Sequence, residues 1–134
     1  MKIKSFIIII FTVLSYTLNA QLISVKSELS GDTIAIGEQL EYTFSVETAE
    51  SVETDFPVFI DTLTSSIEIL DLLSLDTTYI DNNRITTGKY LVTSFEKGEN
   101  EIQAKAVTFK AGEIKDTAYS LPLVLHVIAP VVDT

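Results

Sequence analysis

Few residues in this 134-residue chain could carry out chemistry, and their spacing argues against it. The one histidine, His126, sits in Leu-Val-Leu-His-Val-Ile. Zinc or nucleophilic chemistry would need a second His or a Cys beside it, and the sequence has neither. A strand histidine with its hydrogen bonds satisfied is the simpler reading. Asp55, Asp61, Asp71 and Asp76 are close enough in sequence for two of them to act as an acid/base pair or to hold Ca²⁺. No D-x-[DN]-x-[DN]-G loop is present, and no Gly-rich phosphate loop, G-x-S-x-G elbow or H-E-x-x-H motif occurs. A solvated acidic surface accounts for these carboxylates. The expectation is a non-enzymatic protein without cofactor or metal.

A second feature concerns modification. Of eight Asp residues, five are followed by Thr: at Thr33, Thr62, Thr77, Thr117 and Thr134. The first four continue with Ile34, Leu63, Thr78 or Ala118. Asp-Thr followed by a small or aliphatic residue resembles the acceptor site of a periplasmic O-glycosylation system of some Gram-negative bacteria. The resemblance marks Thr33, Thr62, Thr77 and Thr117 as O-glycosylation sites. Asp and Thr also suit strand ends and turns, where their side chains bond the backbone, so both readings stand.

The elements that must position these residues read as strands. Leu40, Tyr42, Phe44 and Val46 alternate with Gln39, Glu41, Thr43, Ser45 and Glu47. That period of two gives a strand with one buried and one wet face. Leu22 to Leu29 is a further strand. It is broken at Ser30-Gly31-Asp32, resumes over Thr33 to Ile36 and turns at Gly37-Glu38. Val52 to Ile60 is extended, and Pro57 restricts it to an edge or a bulge. Ile67 to Leu75 is ambiguous. Ile67, Leu70 and Leu73 have helical spacing, but the β-branched and aromatic neighbours favour a strand. Asp81-Asn82-Asn83 is a turn, and Arg84 to Phe95 is a long strand with a bulge expected at Gly88. Turns at Lys97-Gly98 and Ala111-Gly112 separate the strand at Ile102 to Ala106 from a last one over Ile114 to Ile128. About seven to nine strands with turns every 8–12 residues predict an all-β, immunoglobulin-like or fibronectin-like antiparallel β-sandwich.

Residues 1–20 predict the location. Lys2 and Lys4 precede an apolar run from Phe6 to Leu14 and a segment ending at Ala20. This is the layout of a secretory signal peptide cleaved after Ala20, and the run is too short to span a membrane. The expected organisation is a leader over 1–20, a sandwich domain over 21–129 and a linker-like end over 130–134. Removing the leader takes two Lys and no acid, leaving seven basic and nineteen acidic residues, a formal charge of −12. Nucleic acid and anionic membrane surfaces are poor partners for such a chain, whereas a basic partner is a good one. With no Cys, neither disulfides nor lipidation at a cysteine after the leader are possible, and the core alone must hold the fold. The protein is expected in the periplasm or on the outer surface.

The run Ile34-Ala35-Ile36-Gly37-Glu38-Gln39-Leu40-Glu41-Tyr42-Thr43-Phe44-Ser45-Val46 resembles the opening of the periplasmic region of BatD proteins, the oxygen-tolerance (aerotolerance) family. Phe56-Pro57, the strand Tyr90 to Phe95 before Lys97-Gly98, Ala111-Gly112 and Tyr119-Ser120-Leu121-Pro122 extend the resemblance over residues 22–129. It implies a protein–protein module in the periplasm, with membrane proteins carrying von Willebrand A-type domains as partners, linked to a MoxR-type ATPase. Members of that family continue into further domains and a transmembrane helix. This sequence stops at Thr134, which leaves open a longer anchored protein or a free-standing relative. The alternative expectation is a carbohydrate- or surface-polymer-binding sandwich, with Tyr79, Tyr90 and Tyr119 as the candidate stacking rings.

Overall fold

A computed structural model describes residues 22–130. The expected leader, Gln21 and all but Pro130 of the linker-like end lie outside the described residues. Eleven strands follow one another: β1 (Ile23–Leu29), β2 (Thr33–Ala35), β3 (Gln39–Ala49), β4 (Glu53–Asp55), β5 (Thr62–Thr64), β6 (Ile67–Ile80), β7 (Asn83–Thr93), β8 (Gly98–Ile102), β9 (Ala106–Ala111), β10 (Ile114–Tyr119) and β11 (Leu123–Ile128). The expected all-β sandwich is what forms. One layer is a five-stranded sheet in the order β1-β3-β7-β6-β5. Two three-stranded sheets, β10-β9-β4 and β2-β11-β8, complete it. Every pairing is antiparallel except one, in which β2 runs parallel to the last strand with Ile34 opposite Val127.

The alternation in β3 does what its sequence predicts. Leu40, Tyr42, Phe44, Val46 and Thr48 are buried, and the residues between them are exposed or half-buried. Against them lie Tyr90 and Val92 of β7, Ile67, Ile102, Val107, Leu125 and Val127. The segment between β4 and β5 supplies two more rings. Phe59 stands edge-on to Phe44 with centroids 5.2 Å apart, and Phe56 lies 5.7 Å from the same ring. Phe59 also lies 5.6 Å from Tyr90. Aromatic pairs at such distances add about 0.5–1.5 kcal/mol each beyond the area they bury. Pro57 thus sits in an irregular crossing segment that plugs the core, where no ladder requires its missing N–H.

Polar ties run both within the five-stranded sheet and out of it. Arg84 of β7 donates to the Val52 carbonyl and to Thr48 Oγ1, the latter at 3.3 Å. Lys105 Nζ donates to the Leu63 carbonyl at 2.6 Å and lies 5.5 Å from the Phe59 ring centroid. Burial lowers the Lys105 pKa. Ser27 Oγ donates to the Tyr42 hydroxyl at 2.6 Å. Burial is the main reason the Tyr42 phenol is pushed up to about 12; the Ser27 bond opposes that shift and neighbouring Tyr90 adds to it. Among the described residues no buried side-chain polar atom lacks a partner, as a folded interior requires.

Three expectations need correction. Gly88 is not a bulge, because β7 pairs with β3 in unbroken register from Asn83 to Thr93. A Cβ at Gly88 would meet Tyr90 Cε2 at 3.2 Å, so glycine here makes room for a ring lying back along its own strand. Ile114 to Ile128 is not one strand. It breaks at Ser120-Leu121-Pro122, and Leu121 is left 80% exposed rather than sharing the face of Leu123, Leu125 and Val127. Ile102 to Ala106 is divided as well: Ile102 ends β8 and Ala106 opens β9, in different sheets.

Candidate functional site

Strand β6 is the feature of this fold that a sandwich core does not explain. It is fourteen residues long and pairs along its length with β7. On its other side, β5 covers only its start, through Thr62 opposite Glu68 and Thr64 opposite Ile67. The Ile69 N–H still reaches the Asp61 carbonyl at 2.8 Å. Beyond that point, among the described residues, no strand pairs with the outer edge of β6.

Two register shifts interrupt the β6–β7 ladder, one between Ile69 and Asp71 and one between Leu72 and Ser74. Leu70 and Leu73 are the extra residues of these bulges. They account for the helical spacing in the sequence, since each bulge adds one residue to a period of two. From Ser74 to Ile80 the register is regular again. The hairpin closes on Asp81 and Asn82 at φ 49° and 65°, two successive left-handed residues, as a two-residue type I′ connection demands.

Register also assigns the faces, since residues directly opposite in an antiparallel pair share a side. Leu72 is opposite Tyr90 and Leu75 is opposite Gly88, so both lie on the side that faces the core. Thr77, opposite Thr86, and then Tyr79, opposite Arg84, follow on the same side. Yet Leu72 is 43%, Leu75 47% and Tyr79 63% exposed. The second layer does not reach far enough along the hairpin to cover them. On the other side of the strand, Asp71 and Asp76 lie opposite Leu91 and Thr87. Both are exposed, and among the described residues neither has a basic group within ion-pair distance. The site is therefore a bare strand edge with Leu72, Leu75, Thr77 and Tyr79 on one face and Asp71, Ser74 and Asp76 on the other, where Lys89 of β7 stands opposite Ser74.

The residues singled out in the sequence are scattered relative to it. His126 is on β11, exposed, with Nδ1 3.7 Å from Glu99 Oε1 on β8; its backbone N–H bonds the Asp32 carbonyl. Asp55 is on β4, and Asp61 is a left-handed residue ahead of β5. Among the described residues no three His, Asp or Glu side chains converge as metal ligands would. A shallow depression beside β4 and β9 is lined by Glu53, Asp55, Lys110 and Lys115, acids and bases in equal number. Tyr90 is buried, while Tyr79 and Tyr119 are exposed on different sheets, so the three rings form no row.

Thr33, Thr62 and Thr77 are exposed on β2, β5 and β6, whereas Thr117 on β10 is half-buried. Local bonding of the kind expected at strand ends is present at two of the four. Thr33 Oγ1 donates to Asp32 Oδ1 at 3.0 Å, and the Thr117 N–H donates to Asp116 Oδ1 at 2.7 Å. Thr77 Oγ1 lies 3.4 Å from Thr86 Oγ1 across the hairpin.

The β6 edge was only half visible in sequence. The excess of Leu between Leu70 and Leu75 was the available signal, and the bulges disguised it. Among the described residues no helix is long and apolar enough to cross a membrane. The chain matches no protein-family model and no curated protein sequence.

Proposed function

We propose that the protein is a non-enzymatic, exported β-sandwich interaction module that binds envelope proteins, in the manner the BatD resemblance implies. The observation that carries this reading is the uncovered row of Leu72, Leu75 and Tyr79 on a strand with a free edge. Large apolar side chains left bare beside an open strand edge are a usual mark of a protein-binding site. The charge supports the same reading: a formal −12 for the chain after Ala20 repels anionic polymers and attracts a basic protein face. Export rests on the leader-like residues 1–20. Capture experiments from envelope extracts, with the protein immobilised, test it. Recovery of a membrane or envelope protein, lost when Leu72 and Leu75 are replaced by Ser, is the expected result. Recovery of none above background, or recovery indifferent to both substitutions, overturns it.

A further inference from the structure

We propose that the outer edge of β6, from Ser74 to Ile80, accepts an added β-strand from a partner whose side chains alternate apolar and basic. This rests on the interaction reading above and specifies how and with what chemistry binding occurs. Three observations carry it. The backbone of this stretch is regular, being paired to β7 without a shift from Ser74 to Ile80, and its other side is open among the described residues. Seven residues match the length of an ordinary strand. The stretch also contains no Lys and no Pro, the two bulges lie before it, and its one charge, Asp76, opposes an acidic strand but not a basic one.

The faces dictate the occupant. A strand added beside β6 presents alternate side chains to the two sides of the sheet. On one side they meet Leu75 and Tyr79, with Thr77 between them, which favours apolar side chains. On the other they meet Asp76 and, toward the bulges, Asp71 on the edge strand itself, and so gain from Lys or Arg. Lys89 stands one strand further back, opposite Ser74, and among the described residues is in no ion pair with either acid. A second copy of this chain is a poorer occupant. Pairing β6 with itself brings two acidic hairpins together, and each molecule carries the same large negative charge.

The test uses the purified protein and a nine-residue alternating Val/Lys peptide, with a Val/Glu peptide of the same pattern as control. Fluorescence anisotropy reads binding. The Val/Lys peptide is expected to bind and the Val/Glu peptide not to. The pair Asp71→Lys and Asp76→Lys, on the exposed surface, reverses that preference and weakens the Val/Lys peptide by about tenfold or more. Strand addition has its own signature. N-methylation at alternate peptide residues along one edge abolishes binding, whereas methylation at the residues between them does not.

Four results overturn the proposal. The first is no binding of Val/Lys by a folded protein. The second is binding indifferent to N-methylation. The third is unchanged preference in the charge-reversed variant. The fourth is a stable homodimer through β6 at low salt. The capture experiment of the preceding section distinguishes the two levels. An envelope protein retained on Leu72 and Leu75 while the peptide tests fail leaves the module and removes the strand.

Discussion

At the residue scale, the aromatic core sets the terms. Tyr42 and Tyr90 are both fully buried, and each phenol oxygen keeps a partner, Ser27 Oγ for one and the Phe59 N–H for the other. Because the Tyr42 pKa is raised to about 12 when folded, the folded state holds that proton at pH values where the unfolded chain has released it. Its contribution is intact below the ordinary tyrosine pKa near 10 and is lost as pH rises from there through about 12. Urea unfolding between pH 9 and 12 should show this loss, amounting to about 2–3 kcal/mol at most, and Tyr42→Phe should flatten the curve. Gly88 makes a second prediction. The Tyr90 ring is held by Phe59 and by the core, so it cannot yield to a new methyl group. Gly88→Ala should cost about 1–3 kcal/mol in chemical denaturation despite alanine's smaller entropy loss. The Asp-Thr pairs belong at this scale too. Any modification there should fall on exposed Thr33, Thr62 and Thr77 before half-buried Thr117, an order that site mapping by mass spectrometry checks.

At the scale of elements, legibility followed burial. Strand β3 was readable because one of its faces is inside and the other outside along nearly its full length. Strand β6 was not. Its first residue is buried, its last residues are exposed on both faces, and two bulges shift its parity in between. A pattern of two cannot announce a strand that changes both its environment and its phase. The turn that ends it was legible, because Asp and Asn tolerate the left-handed backbone that few other residues adopt. That tolerance is testable: Asn82→Val should cost about 1–2 kcal/mol, and Asn82→Gly should cost nothing or stabilise the hairpin, both measured by thermal unfolding. The candidate site was legible in composition but not in place. Leu70, Leu72, Leu73 and Leu75 were evident, but which of them faces inward depends on a register that only pairing with β7 fixes.

At the scale of the whole molecule, the acidity and the open edge are one arrangement. A strand edge beside leucines invites self-association, and like charge on every copy opposes it. Screening should weaken that opposition. Sedimentation should show little association at low salt and more near 0.5 M, where the Debye length falls to about 4 Å. Asp71→Asn with Asp76→Asn should move the onset to lower salt. The absence of cysteine is also met at this scale. The layers are held by an aliphatic and aromatic core with every buried side-chain polar atom paired among the described residues, so no covalent staple is called for.

The parallel pairing of β2 with β11 bears on how the molecule comes into being. Residues 33–35 meet residues 126–128, so nearly the whole described chain lies in the loop that this contact closes. Such closure is slow and comes late, because its entropy is lost before its contacts form. The β2-β11-β8 sheet therefore cannot form before β11 is available to it. A nascent chain lacking Leu123 to Ile128 leaves β2 and β8 without the strand that lies between them. The six residues of β11 are thus the ones on which the closing of this sheet waits, whatever else of the chain has already paired.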